Sequence, residues 1–140
     1  MLEKILHKRP VIFLADDDDD DAFFLRAALR EVEPEYDLCH FYNGKHLIDS
    51  LRRTVGDPPL FVVLDINMPV LDGLETLAII RREISADLPV VILTTTNDPV
   101  TKITCINKGA NYYFTKPYSF KRYLDILQEI KVHVTPHLEA

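Results

Sequence analysis

The chain has 140 residues, of which 47% are hydrophobic and 27% are charged, a composition typical of one globular domain. Cys39 and Cys105 are far apart and belong to no CxxC or Cys/His cluster, which argues against a zinc site. No apolar run approaches the roughly 20 residues of a membrane span, and no signal-peptide pattern is present. We therefore expect a cytoplasmic protein that does not contact a membrane.

The net charge of −6 comes from 16 basic and 22 acidic residues, and six of the acidic residues form one uninterrupted run, Asp16 to Asp21. Without that run the chain is electrically balanced. The acidity therefore belongs to one place and not to the whole surface. A nucleic-acid-binding protein would need a basic stripe, so direct nucleic-acid binding is not expected. A local cation site is favoured instead.

Short apolar runs alternate five times with amphipathic stretches along the chain. The strand predictions are Val11–Ala15, 36–42, 60–64, 90–93 and Tyr112–Thr115. The helix predictions are 22–32 with Asp18 or Asp19 as N-cap, 45–54 after a turn at Asn43-Gly44, 73–83, a fourth helix that begins at Asp98-Pro99 and ends before a left-handed Gly109, and 120–130. The apolar residues of the fourth helix, Val100, Ile103 and Ile106, fall on one side of it.

This alternation predicts an α/β fold with a parallel sheet covered by helices on both faces. No repeat or second core is visible, so residues 1–140 are predicted to form a single domain. Its core would span about 10–131, with flexible tails at 1–9 and 134–140. In such folds the chemistry lies outside the carboxyl ends of the strands.

Polar residues follow four of the five predicted strands. Asp16 and Asp17 end the first strand, Asp65 the third, Thr94 the fourth and Lys116 the fifth. A cluster of carboxylates without His or Cys suits a hard cation, Mg²⁺ above all. Such a set supports phosphoryl transfer to a carboxylate, with Asp65 as nucleophile and the cation and Lys116 offsetting the charge. Taken singly, each residue has an ordinary alternative as a helix cap, a turn residue or a solvated charge.

Taken together, these motifs resemble the receiver domains of two-component response regulators over about residues 10–130. The resemblance rests on Asp16-Asp17, on Asp65-Ile66-Asn67-Met68-Pro69 with Asp72-Gly73, on Thr94, and on Lys116-Pro117. It implies a three-layer, flavodoxin-like, doubly wound sheet of five strands in the order 2-1-3-4-5, with five helices.

The resemblance also implies a role for each site residue. Asp65 would be the phosphoacceptor. Asp17 and Asp65 would bind Mg²⁺ (or Mn²⁺) directly, Asp16 mostly through water, and Asn67 through its backbone carbonyl. Thr94 would be a switch hydroxyl, Lys116 would pair with the phosphoryl oxygens, and Tyr113 falls where the family has an aromatic switch.

The implied function is that of a single-domain response regulator, not an enzyme beyond its own phosphorylation and dephosphorylation. A sensor histidine kinase or a histidine phosphotransfer protein would supply the phosphoryl group. The state would pass to a further protein through the face of the fourth helix, fifth strand and fifth helix, where homodimerisation is also conceivable. Candidate residues of that face are Tyr112, Tyr118, Lys121 and Arg122.

Two alternatives remain open at this point. One is a phosphorylation-independent scaffold of the same fold. The other is a phosphatase with an aspartyl nucleophile, which would need a second aspartate at position 67, where this chain has asparagine. The remaining aspartates of the run, Asp18 to Asp21, are interpreted as cap and first-turn charges that lie outside the site.

Overall fold

In the computed structural model, which describes residues 9–134, five parallel strands form one sheet in the order β2-β1-β3-β4-β5. The elements in chain order are β1 (Val11–Ala15), α1 (Asp19–Val32), β2 (Asp37–Phe41), α2 (Gly44–Arg53), β3 (Val62–Leu64), α3 (Gly73–Ile79), β4 (Val90–Thr94), α4 (Pro99–Asn107), β5 (Tyr112–Thr115) and α5 (Phe120–Val134). The predicted fold class and strand order are therefore confirmed. The predicted tails lie outside the described residues, apart from Arg9 and Val134.

The helices cover both faces of the sheet because the strand side chains alternate between two apolar clusters. On one face, Phe13 and Ala15 pack with Leu47 of α2 and Leu77 of α3. On the other face, Ile12 and Leu14 join α1 and α5; the helix residues buried there are Ala22, Leu25, Ala28, Leu29, Tyr123, Ile126, Leu127 and Ile130. This sandwich leaves the strand ends as the place where polar side chains can gather.

The structure differs from the sequence prediction at the start of α2. Asn43 is the N-cap, its side chain accepting a hydrogen bond from the His46 amide, and Gly44 is the first helical residue instead of a turn residue. A Cβ on Gly44 would lie 1.8 Å from Thr76 Oγ1 of α3. Glycine is needed here because the two helices approach each other closely, which no local pattern reveals.

The other differences concern helix ends and exposure. The helix predicted for 73–83 is α-helical only to Ile79 and continues as a π-helical turn, Ile80–Ile84, closed by the Ser85 amide on the Ile80 carbonyl. Helix α5 runs to Val134, the residue at which the flexible C-terminal tail was predicted to begin. Gly109 follows α4 with a φ of 109°, as predicted.

The apolar side of α4 faces solvent. Val100, Ile103 and Ile106 are 69%, 59% and 42% exposed, and Cys105 is the fully buried residue of this helix. No helix within residues 9–134 combines the length and apolar character that a membrane span needs.

Candidate functional site

The predicted site residues gather at one edge of the sheet, at the carboxyl ends of the strands. Asp16 and Asp65 are the residues directly after β1 and β3, Thr94 is the last residue of β4, and Lys116 follows β5. Backbone hydrogen bonds hold them there: the Asp65 amide donates to the Ala15 carbonyl at 3.0 Å, and the Lys116 amide to the Thr94 carbonyl at 2.7 Å. Their positions therefore follow from the strand register.

Three carboxylates form a cluster at this edge. Asp16, Asp17 and Asp65 each offer an oxygen within 4.8 Å of the others, and the first and last are buried whereas Asp17 is exposed. Burial raises the pKa of Asp16 to about 6, although the Asp18 amide and Lys116 oppose the rise. The negative charges of the three carboxylates repel one another, and a hard divalent cation would offset this repulsion. An all-oxygen donor set fits Mg²⁺ or Mn²⁺.

Lys116 is the cation that the structure itself places against these carboxylates. Its Nζ lies 2.6 Å from Asp21 Oδ2, 2.8 Å from Asp65 Oδ2 and 2.9 Å from Asp16 Oδ2, and its side chain is 7% exposed. Burial by itself lowers the pKa of Lys116, but the hydrogen bonds that the ammonium donates to the carboxylates outweigh it, and the net shift of the pKa is upward. The ammonium is therefore fully charged at neutral pH.

The Asp65 carboxylate is held at both oxygens. Oδ1 accepts a hydrogen bond of 2.7 Å from the Ile66 amide, and Oδ2 faces the Lys116 ammonium. The start of α3 packs on the same segment, with the Gly73 amide donating to the Ile66 carbonyl at 2.8 Å. Asn67, whose backbone carbonyl was predicted as a metal ligand, is exposed in the loop that follows.

Thr94 is fully buried, and its hydroxyl makes no hydrogen bond. Within residues 9–134 it is the buried side-chain polar atom that lacks a partner. Leaving a buried hydroxyl unpaired costs about 1–3 kcal/mol, so such groups are rare in folded proteins and a bound group that accepts their hydrogen bond would stabilise them. Its place is β4, between the strand that ends at Asp65 and the strand that ends before Lys116.

The aspartate run divides differently from the prediction. Asp18 is the N-cap of α1, accepting from the Asp21 amide at 3.0 Å, and Asp19, Asp20 and Asp21 fill the first turn, as predicted. The placement of Asp21 outside the site is wrong, because its carboxylate contacts Lys116. Its position in the first turn of α1 could have indicated this contact from the sequence. Side chains in a first helical turn lean back toward the helix N-terminus, which here means toward the end of β1.

Two residues of β2 and its end also contact this edge and were not singled out from the sequence. His40 Nε2 lies 2.7 Å from the Asp16 carbonyl oxygen, and Nε2 must be the donor because a carbonyl only accepts. The Tyr42 hydroxyl donates to Asp19 in the first turn of α1. These contacts tie β2 to the aspartate run.

The loop after Asp65 contains a strained residue, Val70, whose φ of 69° is unusual for a β-branched side chain. We expect Val70→Gly to raise the free energy of unfolding by about 1 kcal/mol, since glycine adopts this conformation without strain and Val70 buries little surface. Urea denaturation followed by circular dichroism measures the change. Val55→Gly, at an equally exposed position with a negative φ, should instead lower stability. Equal losses for the two variants would contradict the strain at position 70.

The chain matches a known protein family over most of its length. The family described as "Response regulator receiver domain" matches residues 12–128. A "probable transcriptional regulator ycf27" of Porphyridium aerugineum is 35% identical over 86 residues, which are 61% of this chain. The match spans only 34% of that relative. The activity of the longer protein is therefore not carried over.

Solved structures share the fold over nearly the whole chain. The phosphorylated cyanobacterial phytochrome response regulator RcpA superposes with a TM-score of 0.80 and 24% identity, covering 90% of this chain and 94% of that one. The Mn²⁺-bound form of response regulator Rcp1 has a TM-score of 0.76 and 26% identity, covering 89% and 93%. The match to the family over residues 12–128 shows that this chain belongs to the response regulator receiver domains of two-component signal transduction.

Proposed function

We propose that this protein is a Mg²⁺-dependent phosphoacceptor switch in the cytoplasm, in which Asp65 receives a phosphoryl group from a histidine kinase or a histidine phosphotransfer protein. The observation that carries the proposal is the unpaired, fully buried hydroxyl of Thr94 beside the Asp65 and Lys116 strand ends. A phosphoryl oxygen on Asp65 would give that hydroxyl the acceptor it lacks.

The chemistry follows from the residues at the site. An oxygen of the Asp65 carboxylate forms a bond to phosphorus, while the bond from phosphorus to the leaving group breaks and the leaving group keeps the electron pair. Lys116 donates to the phosphoryl oxygens and offsets their charge. Asp16, Asp17, Asp65 and the Asn67 carbonyl would hold a Mg²⁺ ion, whose positive charge stabilises the transferring group when bound.

The switch would run from Thr94 to a surface used for signalling. The Tyr113 hydroxyl donates to the Thr96 carbonyl, which ties β5 to the loop that follows Thr94. A shift of that loop toward a phosphoryl group would break or re-form this bond and move Tyr113. We propose that α4, β5 and α5 carry the result to a partner protein or a second copy, since the apolar side of α4 is solvent-exposed.

The test is phosphorylation by a small donor, acetyl phosphate, read by intact mass. Wild type with Mg²⁺ should gain one phosphoryl group, and Asp65→Asn should gain none because the amide cannot form the acyl phosphate. Asp125→Asn, which removes an equal charge from an exposed position on α5, should behave as wild type. EDTA should abolish the gain of the phosphoryl group in wild type and in Asp125→Asn, because it removes the Mg²⁺.

Failure of wild type to gain a phosphoryl group under these conditions would contradict the proposal and favour the scaffold alternative. Equal gain by Asp65→Asn would show that another residue accepts the group.

A further inference from the structure

The ammonium of Lys116 contacts three carboxylates, one more than the two that follow strands β1 and β3. Its third partner is Asp21, whose Oδ2 lies at 2.6 Å, the shortest of the three distances. The contacts with Asp21 and Asp65 are hydrogen bonds that the ammonium donates, and the contact with Asp16 is an ion pair. A phosphoryl oxygen that arrives at Asp65 therefore meets an ammonium that already has three partners.

The three carboxylates are not equivalent. Asp16 and Asp65 are also members of the acidic cluster suited to a divalent cation, and their oxygens would be shared between that cation and Lys116. Asp21 is outside this cluster, so a bound cation does not compete for it. It is the partner that can stay on Lys116 when the metal is present.

Asp21 is also held in place from a different element of the fold. Its backbone amide donates to the Asp18 carboxylate in the capped first turn of α1, whereas Lys116 follows β5. Its side chain is 29% exposed, compared with 3% for Asp16 and 8% for Asp65. Solvent can therefore replace Asp21 as a partner at less cost than it can replace the other two.

We propose that Asp21 is a positioning residue that holds the Lys116 ammonium and offsets part of its charge, so that a phosphoryl group on Asp65 must compete with Asp21 for that ammonium. The inference rests on the proposed phosphoacceptor function. Its consequence is that Asp21 weakens the phosphorylated state, because its negative charge contacts the same ammonium that would pair with the phosphoryl group.

The first test measures binding of beryllofluoride, a phosphoryl analogue, in saturating Mg²⁺ by isothermal titration calorimetry. Asp21→Asn keeps the size of the side chain and removes its charge, and we expect its dissociation constant to fall about tenfold relative to wild type. Asp20→Asn removes the same charge from the same helical turn, at an exposed position that is not among the three carboxylates on Lys116. It should change the constant less than about twofold, since solvent screens its charge.

The second test needs no anion. The Nζ resonance of Lys116, observed by NMR in ¹⁵N-labelled protein, should shift and its protons should exchange faster in Asp21→Asn, whereas Asp20→Asn should match wild type. The inference would be overturned if the two variants had equal dissociation constants or if Asp21→Asn bound beryllofluoride more weakly than wild type. A Lys116 resonance that is unchanged in Asp21→Asn would also overturn it. If wild type does not bind beryllofluoride, the phosphoacceptor function fails, and the Lys116 resonance still decides whether Asp21 positions the ammonium.

Discussion

Replacing Lys116 by methionine is expected to lower the free energy of unfolding by about 3 kcal/mol at pH 7 in the absence of a divalent cation. The ammonium is nearly buried and contacts Asp16, Asp21 and Asp65, so its removal leaves three carboxylates close together without a counter-charge. Methionine fills a similar volume, which separates the loss of charge from the loss of packing. Urea denaturation followed by circular dichroism measures the effect.

The loss of stability in Lys116→Met should become smaller at lower pH and when Mg²⁺ is bound. Burial raises the pKa of Asp16 to about 6 in the folded protein, above the usual value for the unfolded chain. The folded state therefore binds a proton more readily, and the repulsion in Lys116→Met should decrease as the pH falls from 7 to 5. Mg²⁺ should reduce the loss as well, since the cation supplies the missing charge.

The matched control for this experiment is Lys121→Met on α5. It makes the same replacement at a side chain that is 85% exposed and pairs with a carboxylate one helical turn away, Asp125, at 3.7 Å. Its stability should stay near that of wild type. If Lys116→Met proves as stable as Lys121→Met in EDTA at pH 7, the three-carboxylate arrangement around Lys116 is contradicted.

The rate of phosphoryl gain in Lys116→Met should also fall by about 10² relative to wild type.

The second large effect is expected from Gly73→Ala, at the start of α3. A Cβ at this position would lie 2.2 Å from the Asp65 carbonyl oxygen and 2.8 Å from Ile66 Cα, and both are backbone atoms that cannot turn away. Relief requires that α3 move off the end of β3. We expect a loss of about 3 kcal/mol in the free energy of unfolding, together with slower phosphoryl gain because Asp65 shifts.

Gly56→Ala provides the comparison, since nothing lies within 4 Å of the Cβ it would add. Its stability should be equal to or slightly above that of wild type, because alanine lowers the entropy of the unfolded chain. Urea denaturation of both variants gives the two free energies. A Gly73→Ala protein that matches Gly56→Ala would show that the contact between α3 and β3 is looser than the structure indicates.

The strands were readable from local pattern, whereas their order in the sheet was implied by the resemblance to receiver domains. Continuous apolar, β-branched runs such as Val90 to Leu93 identify buried parallel strands, and their alternation with amphipathic stretches determines which elements form layers. Parallel strands end at the same edge of the sheet. The residues that follow them therefore lie close together, independently of the side chains elsewhere. This is why Asp16, Asp65, Thr94 and Lys116 could be grouped before any distance was known.

Local pattern was insufficient wherever the outcome depended on two segments that approach each other in space. Helical periodicity placed Val100, Ile103 and Ile106 on one side of α4, but it does not say whether that side packs or faces solvent. In the same way, Asn43-Gly44 reads as a turn from sequence, and only the proximity of Thr76 shows why the first residue of α2 must be glycine.

The aspartate run contains both residues that local pattern predicts and a contact that it does not. Its position after an apolar strand and before an amphipathic helix was enough to predict Asp16 and Asp17 as strand-end carboxylates and either Asp18 or Asp19 as a helix cap. The contact of Asp21 with Lys116 joins residues 95 positions apart and depends on the angle between α1 and β5. The sequence by itself determined which elements form and which residues end the strands, because hydrogen-bonding pattern and apolar periodicity are local. Only the tertiary structure decided which carboxylates share the ammonium, because that depends on how far side chains from separate elements reach.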